Sequence, residues 1–403
     1  LAADLVLRQA NTGTDFGAQV TSADLNADRI ADLVVGAPLD DVLGVDAGAV
    51  FVFFGPLAAS PTARMASTAS AMFRGAAAGD HFGSSVCVRD VTGDGTGDLL
   101  VGAPRNDAAG TDGGAVYVYR GGATFTSRTT AQAQARLVAT GSDDLFGSAL
   151  AAGDVSGDAV ADVVVGAPLE GAVYVFRGGA SLASTSASSA QVQITGASGD
   201  EFGSCVGVAD FDGDGKEDLF IGSPDAKVTG VDAGSVLCYR GGSALVSGTA
   251  GNATARLDGE DADDRFGQAL AFGDANGDGR LDLLIGAPKH DSPAGNAGRA
   301  YFLRGGAFTS GPIASRAQTV LIAESSSGDQ FGTGLALSDF DGDGLADLFV
   351  GAPFGNGGGS DSGRVYVFWG AALQATRSAT ADDVTYTGAS AALVFGREVG
   401  STR

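Results

Sequence analysis

Apolar residues along this chain fall in short runs of five or six, set apart by clusters of Gly, Asp and Ser. From Phe146, "FGSALAAGDV" leads into an acidic segment; "ADVVVGAP", a variable loop, "GAVYVFRGG", a Ser/Ala/Thr-rich connection and "AQVQITG" follow. Period-two alternation and enrichment in β-branched and aromatic residues predict four short strands, with no helical periodicity between them. The unit recurs. Phe-Gly pairs begin at residues 16, 82, 146, 202, 266, 331 and 395, and Gly-Ala-Pro (once Gly-Ser-Pro) begins at Gly36, Gly102, Gly166, Gly222, Gly286 and Gly351. Each of the first six Phe residues precedes its Gly by 20 positions, a fixed spacing that marks a tandem repeat.

One four-stranded sheet cannot bury both its faces, but sheets set radially pack on their neighbours and leave only short edges. The expected fold is therefore all-β, a β-propeller of four-stranded blades; a solenoid would use shorter coils. The reading is a single domain over 1–403, with repeats near 16–81, 82–145, 146–201, 202–265, 266–330 and 331–394. Segments 1–15 and 395–403 match the fourth and the first strand of a further blade whose middle strands are absent. The seven-bladed type is expected, with the seventh blade unfinished because the chain is cut short of a longer protein. A six-bladed ring with overhanging strands, or overhangs that pair between molecules by strand addition, stays open.

Each repeat carries an acidic loop between its first and second strands. Numbering each loop from its first Asp, Asp stands at positions 1, 5 and 9 in all six: Asp24, Asp28 and Asp32; Asp90, Asp94 and Asp98; Asp154, Asp158 and Asp162; Asp210, Asp214 and Asp218; Asp274, Asp278 and Asp282; Asp339, Asp343 and Asp347. Position 3 is Asn26, Thr92, Ser156, Asp212, Asn276 or Asp341, always a side chain with an oxygen. Alternate oxygens on a tight loop suit Ca²⁺, a hard cation that takes six to eight of them. The backbone carbonyl of position 7 (Ile30, Thr96, Val160, Lys216, Arg280, Leu345) is a further candidate ligand. Up to six Ca²⁺ are expected. Loops four and six, richest in carboxylate, should bind tightest, and loop three, with Ser156 and Ala159, weakest.

Phe-Gly, an acidic loop and Gly-Ala-Pro in this order resemble the FG-GAP repeat of integrin α-subunit heads, also found in many bacterial surface proteins. The resemblance covers practically the whole chain. It implies a propeller, usually seven-bladed, with calcium in the hairpin loop between a blade's first two strands. It also implies that partners are engaged on the opposite face, where the loops after Gly-Ala-Pro vary from "LDDVLGVDA" to "LE".

The charge balance, 48 acidic against 24 basic residues for a net −24, excludes nucleic acid and anionic membranes as expected partners and favours cations. Three cysteines, Cys87, Cys205 and Cys238, lie in apolar runs and make no disulfide framework; small buried hydrophobes are expected. No apolar run is long enough to span a membrane. The two histidines, His81 and His290, each sit beside an Asp in a loop, and no nucleophile elbow, zinc-protease motif or phosphate loop occurs. The expectation is a calcium-binding, extracellular or cell-surface (or periplasmic) module without catalysis, for adhesion to or recognition of protein or glycan. The alternative is a structural subunit of a surface filament or layer that self-associates through its terminal strands, and a propeller enzyme ranks behind both.

Overall fold

The computed structural model describes residues 6–11, 13–57, 64–197, 199–324, 327–356, 360–370, 373, 376–379 and 384–387. The fold is an all-β, six-bladed β-propeller, one blade per repeat, the six-bladed option rather than the seven blades expected; no α-helix occurs among the described residues. Blade five is representative: Leu270–Gly273, Asp282–Ala287, Arg299–Leu303 and Thr319–Ile322 form an antiparallel meander. A fifth strand that the sequence did not announce, Thr376–Ser378, comes from the connection within blade six and pairs in parallel with Thr319–Ile322. Its counterpart Gly311–Pro312 of blade five adds in the same way to blade four. At the start of the chain Leu7–Arg8, expected as an orphan fourth strand, pairs in parallel with Arg64–Met65. Residues 395–403, expected as the first strand of a further blade, lie outside the described residues.

The chain divides into two compact units after Gln193. Within each, the core lies between consecutive blades: one cluster joins Leu100 and Val116 of blade two to Val163 and Tyr174 of blade three. Another joins Phe220 and Val236 of blade four to Ile285 and Tyr301 of blade five. Cys238 is buried as expected, whereas Cys87 and Cys205 are only half-buried, because they stand on the first strand of a blade.

The invariant spacing has a direct cause. In all six repeats the amide of the Phe-Gly glycine donates to the carbonyl of the Gly-Ala-Pro glycine at 2.9 Å, as from Gly83 to Gly102 and from Gly267 to Gly286. One residue more or less between them would turn the strand over and break this bond. The phenylalanine couples blades. Phe331 is fully buried against Tyr366 of its own blade, ring centroids 5.4 Å apart, and its amide donates to Ala297 of the blade before. There it meets Gly298 at φ +89°, where a Cβ would come within 2.1 Å of the Phe331 carbonyl oxygen. Only glycine satisfies both the left-handed backbone and that approach.

Candidate metal centres

The acidic loops join the first two strands of each blade, as the pattern predicted. Loop four shows how the carboxylates are used. Asp210 at position 1 accepts the amides of Gly213 and Gly215 at 2.9 and 3.0 Å, and Asp212 accepts that of Asp214 at 3.1 Å. Asp214 accepts the amide of Lys216 at 3.0 Å. Asp218 at position 9 reaches back under the loop, accepting from Phe211 at 3.1 Å and from Gly241, at the end of the third strand, at 2.9 Å. Positions 4 and 6 are left-handed in every loop, including Ala27, Arg29 and Ala159, where no glycine relieves the cost.

Position 9 is a brace as well as a candidate ligand. Asp32, Asp98, Asp162, Asp218, Asp282 and Asp347 are all fully buried. Burial raises the carboxyl of each above the ordinary range, for Asp218 and Asp282 to about 6, against the lowering pull of their backbone hydrogen bonds. Such groups gain from a cation that offsets the lost hydration. One further observation fits a cation here. In loops four and six the carboxylates at positions 1, 3 and 9 (Asp210, Asp212 and Asp218; Asp339, Asp341 and Asp347) offer oxygens within 4.8 Å of one another. In loops two and three the position-3 hydroxyls of Thr92 and Ser156 lie against the position-9 carboxylates and pull the carboxyls of Asp98 and Asp162 down against the larger, raising effect of burial. Position 5 stands apart: in every loop its carboxylate accepts the amide of position 7, from Asp28 and Ile30 to Asp343 and Leu345.

Sequence reasoning missed a second set of partners at the loops. The residue before the glycine that donates to position 9 is Phe54, Arg120, Arg177, Arg240, Arg304 or Trp369. Arg120 pairs with Asp94 at 2.5 Å, holding that carboxyl low despite the opposing effect of burial. Arg240 pairs with Asp212. Trp369 instead stacks on Phe340 of loop six.

It also missed a cluster at the Gly-Ala-Pro end of blade five, where His290 and Asp264 are buried. His290 Nε2 lies 3.8 Å from a Glu260 oxygen and 3.9 Å from an Asp264 oxygen, and Arg299 lies 3.2 Å from Glu260. Glu260, Asp261 and His290 have metal-like proximity, but Nδ1 of His290 accepts the Ser292 amide at 3.0 Å. The neutral ring therefore carries its proton on Nε2, the nitrogen a metal would need. At these distances Nε2 makes no hydrogen bond, and the cluster is an electrostatic one tied by the Arg299–Glu260 contact. Its signal was visible: an Asp stands two residues before Phe-Gly at Asp80, Asp144, Asp200, Asp264 and Asp329, and Asp80 meets the second residue after Pro, Asn106, as Asp264 nears His290.

Comparison with known proteins places these features. Residues 16–53, 82–119, 146–176, 202–237, 266–303 and 331–368 match the FG-GAP repeat family model. Propellers of this integrin-like type bind divalent cations. The chain is 32% identical to human phosphatidylinositol-glycan-specific phospholipase D over 391 residues, 88% of this chain and 46% of the relative. The bovine protein of that name is 30% identical over 92% of this chain and 47% of its own length. Integrin alpha-5 of Xenopus laevis is 34% identical over 42% of this chain and 15% of its own. The chain thus spans about half the length of the phospholipases it matches.

These matches correct the functional expectation. The non-catalytic adhesion or recognition module, the filament subunit and the absence of enzyme character are overturned by similarity over most of the chain to proteins named as phospholipases, whereas the integrin likeness is partial. The error has a physical origin: the repeat encodes how blades pack, which adhesion receptors and enzymes share, and a search for familiar catalytic motifs reads only chemistry built from adjacent residues.

Proposed function

The chain belongs to the FG-GAP repeat family, and from that premise we propose that it works in an extracellular enzyme of the phosphatidylinositol-glycan-specific phospholipase D type. The observation that carries this is the 32% identity reaching across 88% of the chain. The reaction is hydrolysis of the phosphodiester that joins phosphatidate to the inositol of a glycosylated phosphatidylinositol. The chain's contribution is a calcium-braced propeller, with Ca²⁺ held by positions 1, 3 and 9 of the acidic loops. The varied loops after Gly-Ala-Pro, on the opposite end of the blades, meet the glycan.

Electrostatics supports a link between cation and substrate. A chain of net charge −24 repels an anionic phosphodiester, and six bound Ca²⁺ would halve that charge. Sites of this kind fill at roughly 10⁻⁴–10⁻³ M, a calcium level met outside cells. Among the described residues no helix is long and apolar enough to cross a membrane. The test is release of phosphatidic acid from a phosphatidylinositol-glycan substrate by the purified enzyme that carries this propeller, in millimolar calcium. Failure to release it, with the propeller folded and calcium-loaded, overturns the reading.

A further inference from the structure

Between blades four and five, at the end that bears the acidic loops, lies a cavity of about 110 Å³. Phe211, Phe220, Leu257, Leu283, Leu303 and Phe308 wall it. Its origin is a difference in length. In blades two and three the connection after the third strand places an apolar residue four positions beyond the glycine that donates to position 9. Those residues, Phe125 and Leu182, are 3% and 7% exposed and plug the space between blades. Each closes a turn, donating to Gly122 at 2.8 Å and to Gly179 at 2.9 Å. Blade five reads Gly305-Gly306-Ala307-Phe308, one residue shorter. Phe308 is only half-buried, its ring 5.7 Å from Phe211 and 6.3 Å from Phe220, and the space a plug would fill stays open.

The mouth has the opposite chemistry. Arg304 and Arg316 stand exposed on the lining, in a chain that carries half as many basic as acidic residues. One Arg316 amine donates to the Ser310 carbonyl at 2.7 Å, and no side-chain partner holds the Arg304 guanidinium among the described residues. Arg240 lies over the Phe308 ring at 5.7 Å, but its charge is already matched by Asp212. Thr309 and Gln318 add polar surface beside the arginines, but the Gln318 amide is spent on the backbone of Arg304 and Arg316, and the deeper wall is aromatic and aliphatic. An apolar cavity of ~150 Å³ stays dry and takes up a molecule the size of benzene, so this one suits the end of an alkyl chain.

We propose that this cavity binds an alkyl anion, its hydrocarbon end among Phe211, Phe220 and Phe308 and its carboxylate or phosphate-ester head at Arg304 and Arg316. The site is independent of the phospholipase reading, since it needs neither hydrolysis nor the glycan. The probes are hexyl phosphate, hexanol, inorganic phosphate and hexanoate, titrated into the calcium-loaded full chain by calorimetry and ligand-observed NMR. Hexyl phosphate should bind saturably at one site, with hexanol and phosphate each at least about tenfold weaker. R304A/R316A should lose about tenfold for hexyl phosphate and leave hexanol unchanged. A serine inserted after Ala307, restoring the spacing of blades two and three, should abolish both while keeping or raising the melting temperature. Hexanoate as tight as hexyl phosphate assigns the site to free carboxylates, and weaker hexanoate to phosphate esters. Absence of saturable binding to the wild type at millimolar ligand, or undiminished binding to the insertion variant, overturns the proposal.

Discussion

Replacing Arg240 by Gln should tighten calcium at loop four and leave loop six unmoved. Arg240 occupies the same place in its blade as Trp369 in blade six, yet it pairs with Asp212, one of three carboxylates gathered at loop four. A cation that recruits Asp212 must first displace this guanidinium. The Arg240 side chain is 48% exposed and that of Asp212 only 6%, which puts the pair toward the upper end of the 0.2–1 kcal/mol found for exposed pairs. Losing it should lower the loop-four Kd by about fivefold, roughly 1 kcal/mol. Amides of Gly213 and Gly215, both held by Asp210, report loop four in NMR titrations. Trp369, the one tryptophan of the chain, reports loop six through sensitised terbium emission, because it stacks on Phe340 with ring centroids 6.4 Å apart. The control matters, since removing any positive charge draws cations to the whole surface. An unchanged or weaker loop-four midpoint, or an equal shift at loop six, refutes the local competition.

Calcium itself should raise the melting temperature: at tenfold excess each site adds about 1.4 kcal/mol, and six independent sites on the order of 8 kcal/mol, so an identical melt in excess chelator would contradict filled loops. Asp329 is 2% exposed, one of its oxygens has no partner, and burial pushes its carboxyl up to about 6. The fold thus binds a proton that the unfolded chain has lost, and stability falls as pH rises from about 4 to 6; Asp329→Asn should add up to about 2 kcal/mol at pH ~8 and nothing near pH ~4, read by urea denaturation. Equal effects at both ends would dismiss the titration. Ala159→Gly, at φ +72°, should stabilise by about 0.5–1 kcal/mol and tighten loop three; a lower melting temperature would speak against backbone strain there. Gly298→Ala should cost more than about 2 kcal/mol through its clash with Phe331, and a wild-type urea midpoint would show that the blades can part without cost.

Fold and loops were legible because both are written in local spacing. The Phe-Gly to Gly-Ala-Pro interval is one strand, one loop and one strand, closed by a single amide-to-carbonyl bond, and any change of length shows at once as a broken register. The parallel fifth strands were not legible: Gly311–Pro312 and Arg128–Thr129 are two residues long, too short for a period, and pair with a different blade. Nor was the double use of position 9, because Asp218 looks like any other loop carboxylate until Gly241, far along the chain, is seen to donate to it. The Gly-Ala-Pro end was half legible. Asp264 repeats in phase with Phe-Gly, but its meeting with His290 depends on which residue follows Pro in each blade, and that residue varies.

The position-9 carboxylates tie the hairpin to the fold and frame what a cation would add. Both Asp218 oxygens take backbone amides without a metal, one from the loop and one from the end of the third strand, so the hairpin is already tied to its blade. A cation therefore completes a formed turn. What it relieves is the crowding of Asp210 and Asp212 against a buried Asp218, which otherwise falls to the proton or to Arg240. If Ca²⁺ fills these loops, protons compete for the same oxygens, and its affinity should fall as pH drops through about 6. In the metal-free protein the raised pKa means that these carboxylates cost stability as pH rises from about 4 through 6, a slope that bound calcium would oppose. Neutral, calcium-rich surroundings are then where the loops contribute most, and acid is where the fold relies on its backbone ties alone.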